Sequence, residues 1–324
     1  MAVRRSRPLE VNIRTYRPGD EAHIATIWNQ ALPRDRLAPD RLYARMLADP
    51  RFTPDGLIIA EEIGAPAGFL WTAVRGSTGW LVAFAVAPGQ RRAGLGRALL
   101  TAGLSHLQAR GCHEAICSSY SPAYIWPGPD VEAHADALRL LSALGFTAVE
   151  EVVAMECLLH NLPPLPTADR ARLLGEGFTL TKMAPRWIVP TGVFIERHFS
   201  MDWAAAVRRA IRAGIPADHI RLAVRGDEVA GFALWGAYDD TPDRFGPFGV
   251  DAGLRGRGLG SVLLHDALDA MAQAGRRTAW FLWTEPEGPA YRVYRRAGFE
   301  VTRRFAIMRR HLPDGEPNGQ NESL

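Results

Sequence analysis

Two stretches of the sequence set arginines beside closely spaced glycines ahead of an apolar run: RRAGLGRALL from Arg91 and RGRGLGSVLL from Arg255. The candidate binding residues of the first are Val86, Arg91, Arg92, Ala93, Gly94, Leu95, Gly96 and Arg97. Those of the second are Val250, Arg255, Gly256, Arg257, Gly258, Leu259, Gly260 and Ser261. A turn where a strand hands over to a helix aims several backbone N–H groups at one spot, helped by the positive end of the helix dipole. Glycine lets a phosphate approach the backbone where a Cβ would hold it off. The arginines add charge-assisted contacts. The chemistry these residues suggest is anion binding. One such loop alone could be a plain tight turn, but two in matching contexts argue for a shared purpose. A Walker loop would need Gly-Lys-Ser/Thr after its glycines, and neither copy has a lysine. A dinucleotide fingerprint starting at Gly256 and Gly258 would find Ser261 at its third glycine, and Arg92 replaces its leading glycine in the first copy.

The elements that must position these loops repeat as well. VAFAVAPGQ precedes the first loop and FGPFGVDAGL the second, so Val86 matches Val250 and Gly89 matches Gly253. Downstream, Gly111 matches Gly275. The endings ALGFTAVEEVVAME and RAGFEVTRRFAIMR then pair Gly145 with Gly298 at a shorter spacing, leaving extra residues in the first half around SPAYIWPGPDV. VNIRTYRP from Val11 echoes FTLTKMAP from Phe178. A repeat this long means two domains and not a solenoid. Each half reads as a strand, one or two helices, a hairpin, a strand entering the glycine loop, a long helix, a buried strand, a shorter helix and a closing pair of strands. Pro163, Pro164 and Pro166 interrupt regular structure between the halves. The expected division is residues 10–160, a linker at 161–176, a second domain at 177–312 and a disordered tail at 313–324.

Composition bounds the possibilities. With 324 residues, 47% hydrophobic and 23% charged, each half can bury a core of its own. A net charge of +3 is too mild to make nucleic acid the main partner. The cluster Arg4, Arg5 and Arg7 has no apolar segment behind it, and the run LVAFAVA from Leu81 is too short to span a bilayer. Cys112, Cys117 and Cys157 show no metal-ligand spacing, which suggests a reduced, cytoplasmic chain without a metal.

VAPGQRRAGLGRALL and VDAGLRGRGLGSVLL resemble the acetyl-CoA signature of the GNAT superfamily of N-acetyltransferases, Arg/Gln-x-x-Gly-x-Gly/Ala at a strand-to-helix turn. LSALGF and YRRAGF resemble its second signature, a short helix ending in Gly-Phe. The resemblance implies an α/β fold: two tandem GNAT-like domains, each a mostly antiparallel splayed sheet flanked by helices. It also implies acetyl-CoA as co-substrate, its pantetheine arm between the fourth and fifth strands and its pyrophosphate on Arg91–Gly96 or Arg255–Gly260. The reaction would be direct transfer of acetyl to a primary amine of a small molecule, which needs deprotonation of the amine, oxyanion stabilisation and a proton for the departing thiolate. The superfamily often places a tyrosine for that last task four residues before the Gly of Gly-Phe. Tyr294 stands there in the second half and Leu141 in the first. The asparagine often found seven residues earlier is replaced by Glu287 and His134.

Asp239, Asp240 and Asp243 before the fourth strand of the second half, and Glu285 after its fifth, are candidates for the base, directly or through water. A solvated loop is the plainer reading of each. On these residues the second half is expected to be catalytic and the first a coenzyme-binding scaffold. The loop YIWPGPDVEAH sets Tyr124, Trp126, Asp130 and His134 near the acceptor entry of the first half, as a lid, a plug or a working wall. Two other classes stay open: a non-catalytic acyl-CoA-binding module, and a tandem-domain aminoacyl transferase, which the mild charge and two intact loops disfavour. The chain would act as a monomer with a pseudo-dimer of domains, or as a homodimer, without nucleic acid or membrane.

Overall fold

The computed structural model of the protein describes residues 11–121, 125–164, 167–238 and 241–313. Of the features singled out in the sequence, Arg4, Arg5, Arg7, Tyr124, Pro166, Asp239, Asp240 and the tail beyond Pro313 lie outside the described residues. The chain divides into two compact units, Met1–Glu151 with Phe305–Leu324, and Val152–Arg304.

The first unit runs β1 (Asn12–Thr15), α1 (Glu21–Ala31), α2 (Pro39–Leu47), β2 (Leu57–Glu62), β3 (Ala65–Arg75), β4 (Thr78–Val86), α3 (Leu95–Ala109), β5 (Glu114–Cys117), α4 (Ala135–Ala143) and the start of β6 (Thr147–Leu158). β1 to β4 form an antiparallel meander. Helices cover both faces, so β2 and β3 are apolar almost without alternation. Leu70 and Leu81 join Leu95, Leu99, Leu100 and Leu104 of α3 in one core, while Phe69 stacks on Trp28 of α1 at 6.1 Å. Burying an aliphatic or aromatic side chain of this kind contributes about 1.5–3 kcal/mol. β5 runs parallel to β4, and the pairing extends only from Thr78 opposite Glu114 to Leu81 opposite Cys117. Beyond that point the two strands part.

The second unit takes the end of β6 and continues with α5 (Thr167–Gly175), β7 (Phe178–Lys182), α6 (Pro185–His198), α7 (Met201–Arg212), β8 (Ile220–Arg225), β9 (Glu228–Trp235), β10 (Phe245–Val250), α8 (Leu259–Gln273), β11 (Thr278–Thr284), α9 (Pro289–Arg296) and the start of β12 (Glu300–His311). β7 to β10 repeat the antiparallel meander. A parallel bridge between Arg244 and Trp280 marks where β10 and β11 meet. Ser200 caps α7 by accepting a hydrogen bond from the Trp203 amide, a contact worth about 1 kcal/mol. No helix among the described residues is long and apolar enough to cross a membrane.

The α/β fold of two mostly antiparallel, splayed sheets is as the sequence implies, but its chain path differs in two ways. The closing pair of strands expected in each half is one long strand, and each is divided between the units. In the Phe305–His311 part of β12, residues 308–311 pair antiparallel with β5 in the first unit, with Met308 opposite Cys117. The end of β6 pairs with β11 in the second, with Met155 opposite Phe281. Each unit therefore takes its closing strand from the other half of the sequence, and the division into 10–160 and 177–312 misplaces those strands. Within the expected linker 161–176, residues 167–175 form α5, which packs Leu173 beneath β7 and α8.

Candidate functional site

The two glycine loops share one backbone design. Gly94 and Gly258 are the N-caps of α3 and α8, both left-handed, with φ of 89° and 75°. No side chain caps either helix. The first intrahelical bonds are from the Ala98 amide to Gly94 O and from the Val262 amide to Gly258 O, each 3.0 Å. The amides ahead of them, on Leu95, Gly96 and Arg97 or Leu259, Gly260 and Ser261, have no acceptor within their helix and suit an anion. Ala93 and Leu95 begin the turn of the first loop, with Leu95 anchored in the core. Gly96 lets α4 approach, because a Cβ there would lie 3.1 Å from Leu140.

Their surroundings differ. In the first unit the parting of β4 and β5 opens a cleft of about 600 Å³. Leu81 to Val86 form one wall, Cys117 and Ser118 the base, Arg91, Arg92, Gly94, Gly96 and Arg97 the loop end, and Glu132 to Ala137 with Leu140 the opposite side. The Ala87 amide donates to Ala67 O of β3. Alternation along an antiparallel strand then turns the Phe84 and Val86 amides to the side that β5 has left. A Cβ at Gly94 would have nothing within 4 Å. Arg91 donates weakly to Val86 O and Ala31 O at 3.3 Å, and Arg92 pairs with Asp136 at 2.9 Å on the surface. Exposed pairs of that kind contribute roughly 0–1 kcal/mol, so a phosphate can replace them at small cost.

The extra loop of the first half forms a wall of this cleft. Ser118 and Ser119 both have left-handed φ, 64° and 55°, and turn the chain out of β5. Such conformations store strain of order 1–3 kcal/mol and cluster at functional sites. Here they are held in place: Ser118 Oγ and the Ser119 amide both donate to Trp126 O. The Trp126 ring is buried, lines the cleft and leans on Trp28 at 5.2 Å. Pro129 O accepts from the Ala306 amide, which fastens the loop to the end of β12.

In the second unit the rings of Phe245, Phe248, Phe281, Tyr294 and Phe299 pack together around the position that matches Cys117. Tyr294 lies 4.3 Å from Phe281, 5.3 Å from Phe299 and 5.8 Å from Phe248. Burial raises its phenol pKa well above the ordinary tyrosine value. The second loop is also crowded from α5. A Cβ at Gly258 would lie 2.7 Å from the Asp169 carboxylate. Arg257 pairs with Glu176, and Arg172 donates to Arg257 O. Arg255, Gly256 and Ser261 remain partly or fully exposed, and Val250 packs at the edge of the core.

Of the proposed carboxylates, the two among the described residues, Asp243 and Glu285, make their contacts elsewhere than at Tyr294. The Asp243 side chain stands 4.0 Å from Arg276, and its carbonyl accepts from the Trp280 amide. Glu285 is exposed, and its carbonyl accepts from the Gly288 amide to close the turn into α9. The family resemblance already implied a fourth-strand backbone N–H at the thioester carbonyl, whereas the sequence-based reading missed the Ser118–Ser119 turn, whose signal was the pair of small residues, Cys117 and Ser118, where the second half has Phe281 and Leu282.

Comparison with known proteins agrees with this fold. The model of the Acetyltransferase (GNAT) family matches residues 22–123 and 190–299. A mycothiol acetyltransferase of Actinosynnema mirum is 29% identical over 293 residues, covering 87% of this chain and 93% of the relative. One of Thermobispora bispora is 34% identical over 151 residues, 43% of this chain and 48% of the relative. Among solved structures, a tandem GNAT protein from the clavulanic acid biosynthesis pathway superposes with a TM-score of 0.64 at 17% identity, covering 95% of this chain and all of that one. A GCN5-related N-acetyltransferase from Sphaerobacter thermophilus gives 0.68 at 21%, covering 93% and 95%. These two likenesses concern the fold.

Proposed function

The chain belongs to the Acetyltransferase (GNAT) family, and from that premise we propose that it transfers the acetyl group of acetyl-CoA to a primary amine of a small molecule, holding the coenzyme in the first unit. The observation that carries the placement is the open cleft between β4 and β5, which ends on an unobstructed glycine loop. The Leu95, Gly96 and Arg97 amides with Arg91 and Arg92 would hold the pyrophosphate. The Phe84 and Val86 amides would take the pantetheine arm and the thioester carbonyl, so that charge developing on that oxygen meets fixed N–H donors. When bound, acetyl-CoA supplies an activated acyl thioester. Trp126 and Leu32 exclude water from one end of the cleft, and Glu132 offers a carboxylate at its rim to attract an ammonium acceptor. The relatives named as mycothiol acetyltransferases support a small-molecule acceptor.

A second reading keeps catalysis in the second unit, as the sequence favours, with Tyr294 as proton donor to the thiolate. Its support is the position of the Tyr294 ring between Phe248 and Phe281 at the parting of β10 and β11. The test is thiol release from acetyl-CoA across a panel of small amines. Turnover with at least one amine is expected. A folded chain that binds acetyl-CoA but acetylates nothing in the panel would favour a non-catalytic binding module.

A further inference from the structure

The cleft of the first unit has two unlike ends. Its mouth is lined by exposed or half-buried residues, among them Gln90, Arg91, Gly94, Glu132 and Ala133, beside the glycine loop and ahead of α4. Its far end lies where β4 and β5 come together, and Leu81, Val82, Ala83, Cys117, Ser118 and Trp126 line it, all of them buried. The small side chain at 117 makes room there: the matching position in the second unit holds Phe281.

The polar groups of the far end are satisfied from within. The Ser118 amide donates to Leu81 O at 2.8 Å. Ser118 Oγ donates to Trp126 O at 2.9 Å and lies 3.3 Å from Val82 O, and the Ser119 amide donates to the same Trp126 carbonyl. The strained Ser118–Ser119 turn thus folds its own donors onto the carbonyls that border this end. Burial pushes the Cys117 thiol up to about 12, so it stays neutral. Among the described residues, no side chain lining the cleft has a buried polar atom without a partner. A hydrocarbon group entering here gains by leaving water, whereas an ammonium or a hydroxyl would lose its hydrogen bonds. With the thioester carbonyl at the Phe84 or Val86 amide, the cleft continues beyond it toward Leu81. From Phe84 to Leu81 the strand rises about 10 Å, at roughly 3.3 Å per residue. The methyl of an acetyl group fills only part of that length.

We propose that this enclosed end is an acyl pocket, and that it takes donors carrying a short hydrocarbon chain, propionyl- or butyryl-CoA, at least as well as acetyl-CoA. The inference rests on the placement of the coenzyme in the first unit. The transfer itself is unchanged. The amine lone pair forms the new C–N bond and the C–S bond breaks with its electron pair on sulfur. The amine's proton passes to water, and the thiolate takes a proton from water. The acyl chain stays in the pocket while the acceptor enters from the mouth, where Glu132 stands.

The test is calorimetric titration of the full chain with acetyl-, propionyl-, butyryl- and lauroyl-CoA, which needs no acceptor. Affinity should rise about fourfold from acetyl to propionyl and again to butyryl, the worth of one buried methylene at each step. Lauroyl-CoA, whose chain outruns the pocket, should bind no tighter than butyryl-CoA. Cys117→Val, which adds bulk at the base, should lower the butyryl-to-acetyl affinity ratio at least about fourfold. Cys117→Ala, which keeps the space, should preserve that ratio, so a loss of packing alone is told apart. An affinity that falls from acetyl to butyryl would leave this end to the acceptor and overturn the inference. A rise that continues through lauroyl, or a ratio unchanged in folded Cys117→Val, overturns it as well. Failure of acetyl-CoA itself to bind overturns the underlying reading instead, and is seen in the first titration of the series.

Discussion

Gly94 and Gly258 occupy matching positions in nearly matching sequences, start their helices with the same geometry and leave the same amides without helical acceptors. One faces open space and the other faces the carboxylate of Asp169. The same contrast runs along the strands that follow: Cys117 stands at the base of an open cleft, and its counterpart Phe281 stands in a packed cluster of rings. The loops alone therefore do not distinguish the two units; the volume at one position of the fifth strand and the charge beside the helix N-terminus do.

The largest expected effect comes from separating the halves of the sequence. A fragment ending at residue 164 keeps every loop residue of the first unit but loses Phe305–His311, and with it Ala306 and Met308 from the core and the partner of β5. It should fail to unfold cooperatively in urea or should aggregate. A fragment as stable as the full chain would deny the strand exchange.

Next in size is exchange of the two matched residues, Cys117 and Phe281. Phe281→Ala should destabilise the chain by about 3–5 kcal/mol, as expected for a buried phenylalanine in a dense cluster, whereas Cys117→Ala should cost only about 1 kcal/mol. Cys117→Phe copies the second unit into the first. It should weaken acetyl-CoA binding more than about 100-fold by filling the cleft, an effect of roughly 3 kcal/mol. Unchanged affinity in a folded Cys117→Phe chain would move the coenzyme elsewhere.

Tyr294→Phe tests the contrast from the other side. With the coenzyme in the first unit, kcat should stay within about twofold of the unsubstituted chain; a fall of about 100-fold, the scale of general acid catalysis, would restore the second unit as the catalytic one. The smallest effect concerns reactivity. Burial pushes the thiols of Cys117 and Cys157 up to about 12. At pH 8 about one in ten thousand of either is then thiolate, and a thiol reagent should label both only after denaturation. Rapid labelling of Cys117 would mean that its place in the cleft activates it.

Much of this was legible in the sequence because it is local. The loops announce themselves by glycines at fixed offsets, and the duplication by matched Val86 and Val250, Gly145 and Gly298. The strand exchange was not legible. VVAMECL and FAIMRRH each carry an apolar stretch that would suit either sheet, and only distant pairing decides between them. Helix α5 was hidden by its composition: between prolines, TADRARLLG buries only Leu173 and reads as a polar connector. The pull of Tyr294 came from its motif alone. Phe299 belongs to the same motif, but the packing of Tyr294 against Phe245 and Phe248 of β10 and Phe281 of β11 depends on residues that no short pattern joins to it.

The most direct test of the central contrast is calorimetric titration of acetyl-CoA into the full chain, its Gly94→Trp variant and its Gly258→Trp variant, each checked for folding by circular dichroism. One equivalent should bind the unsubstituted chain, be lost with Gly94→Trp and survive with Gly258→Trp. Two equivalents, or a single equivalent abolished by the change at Gly258, would contradict the assignment of the coenzyme to the first unit.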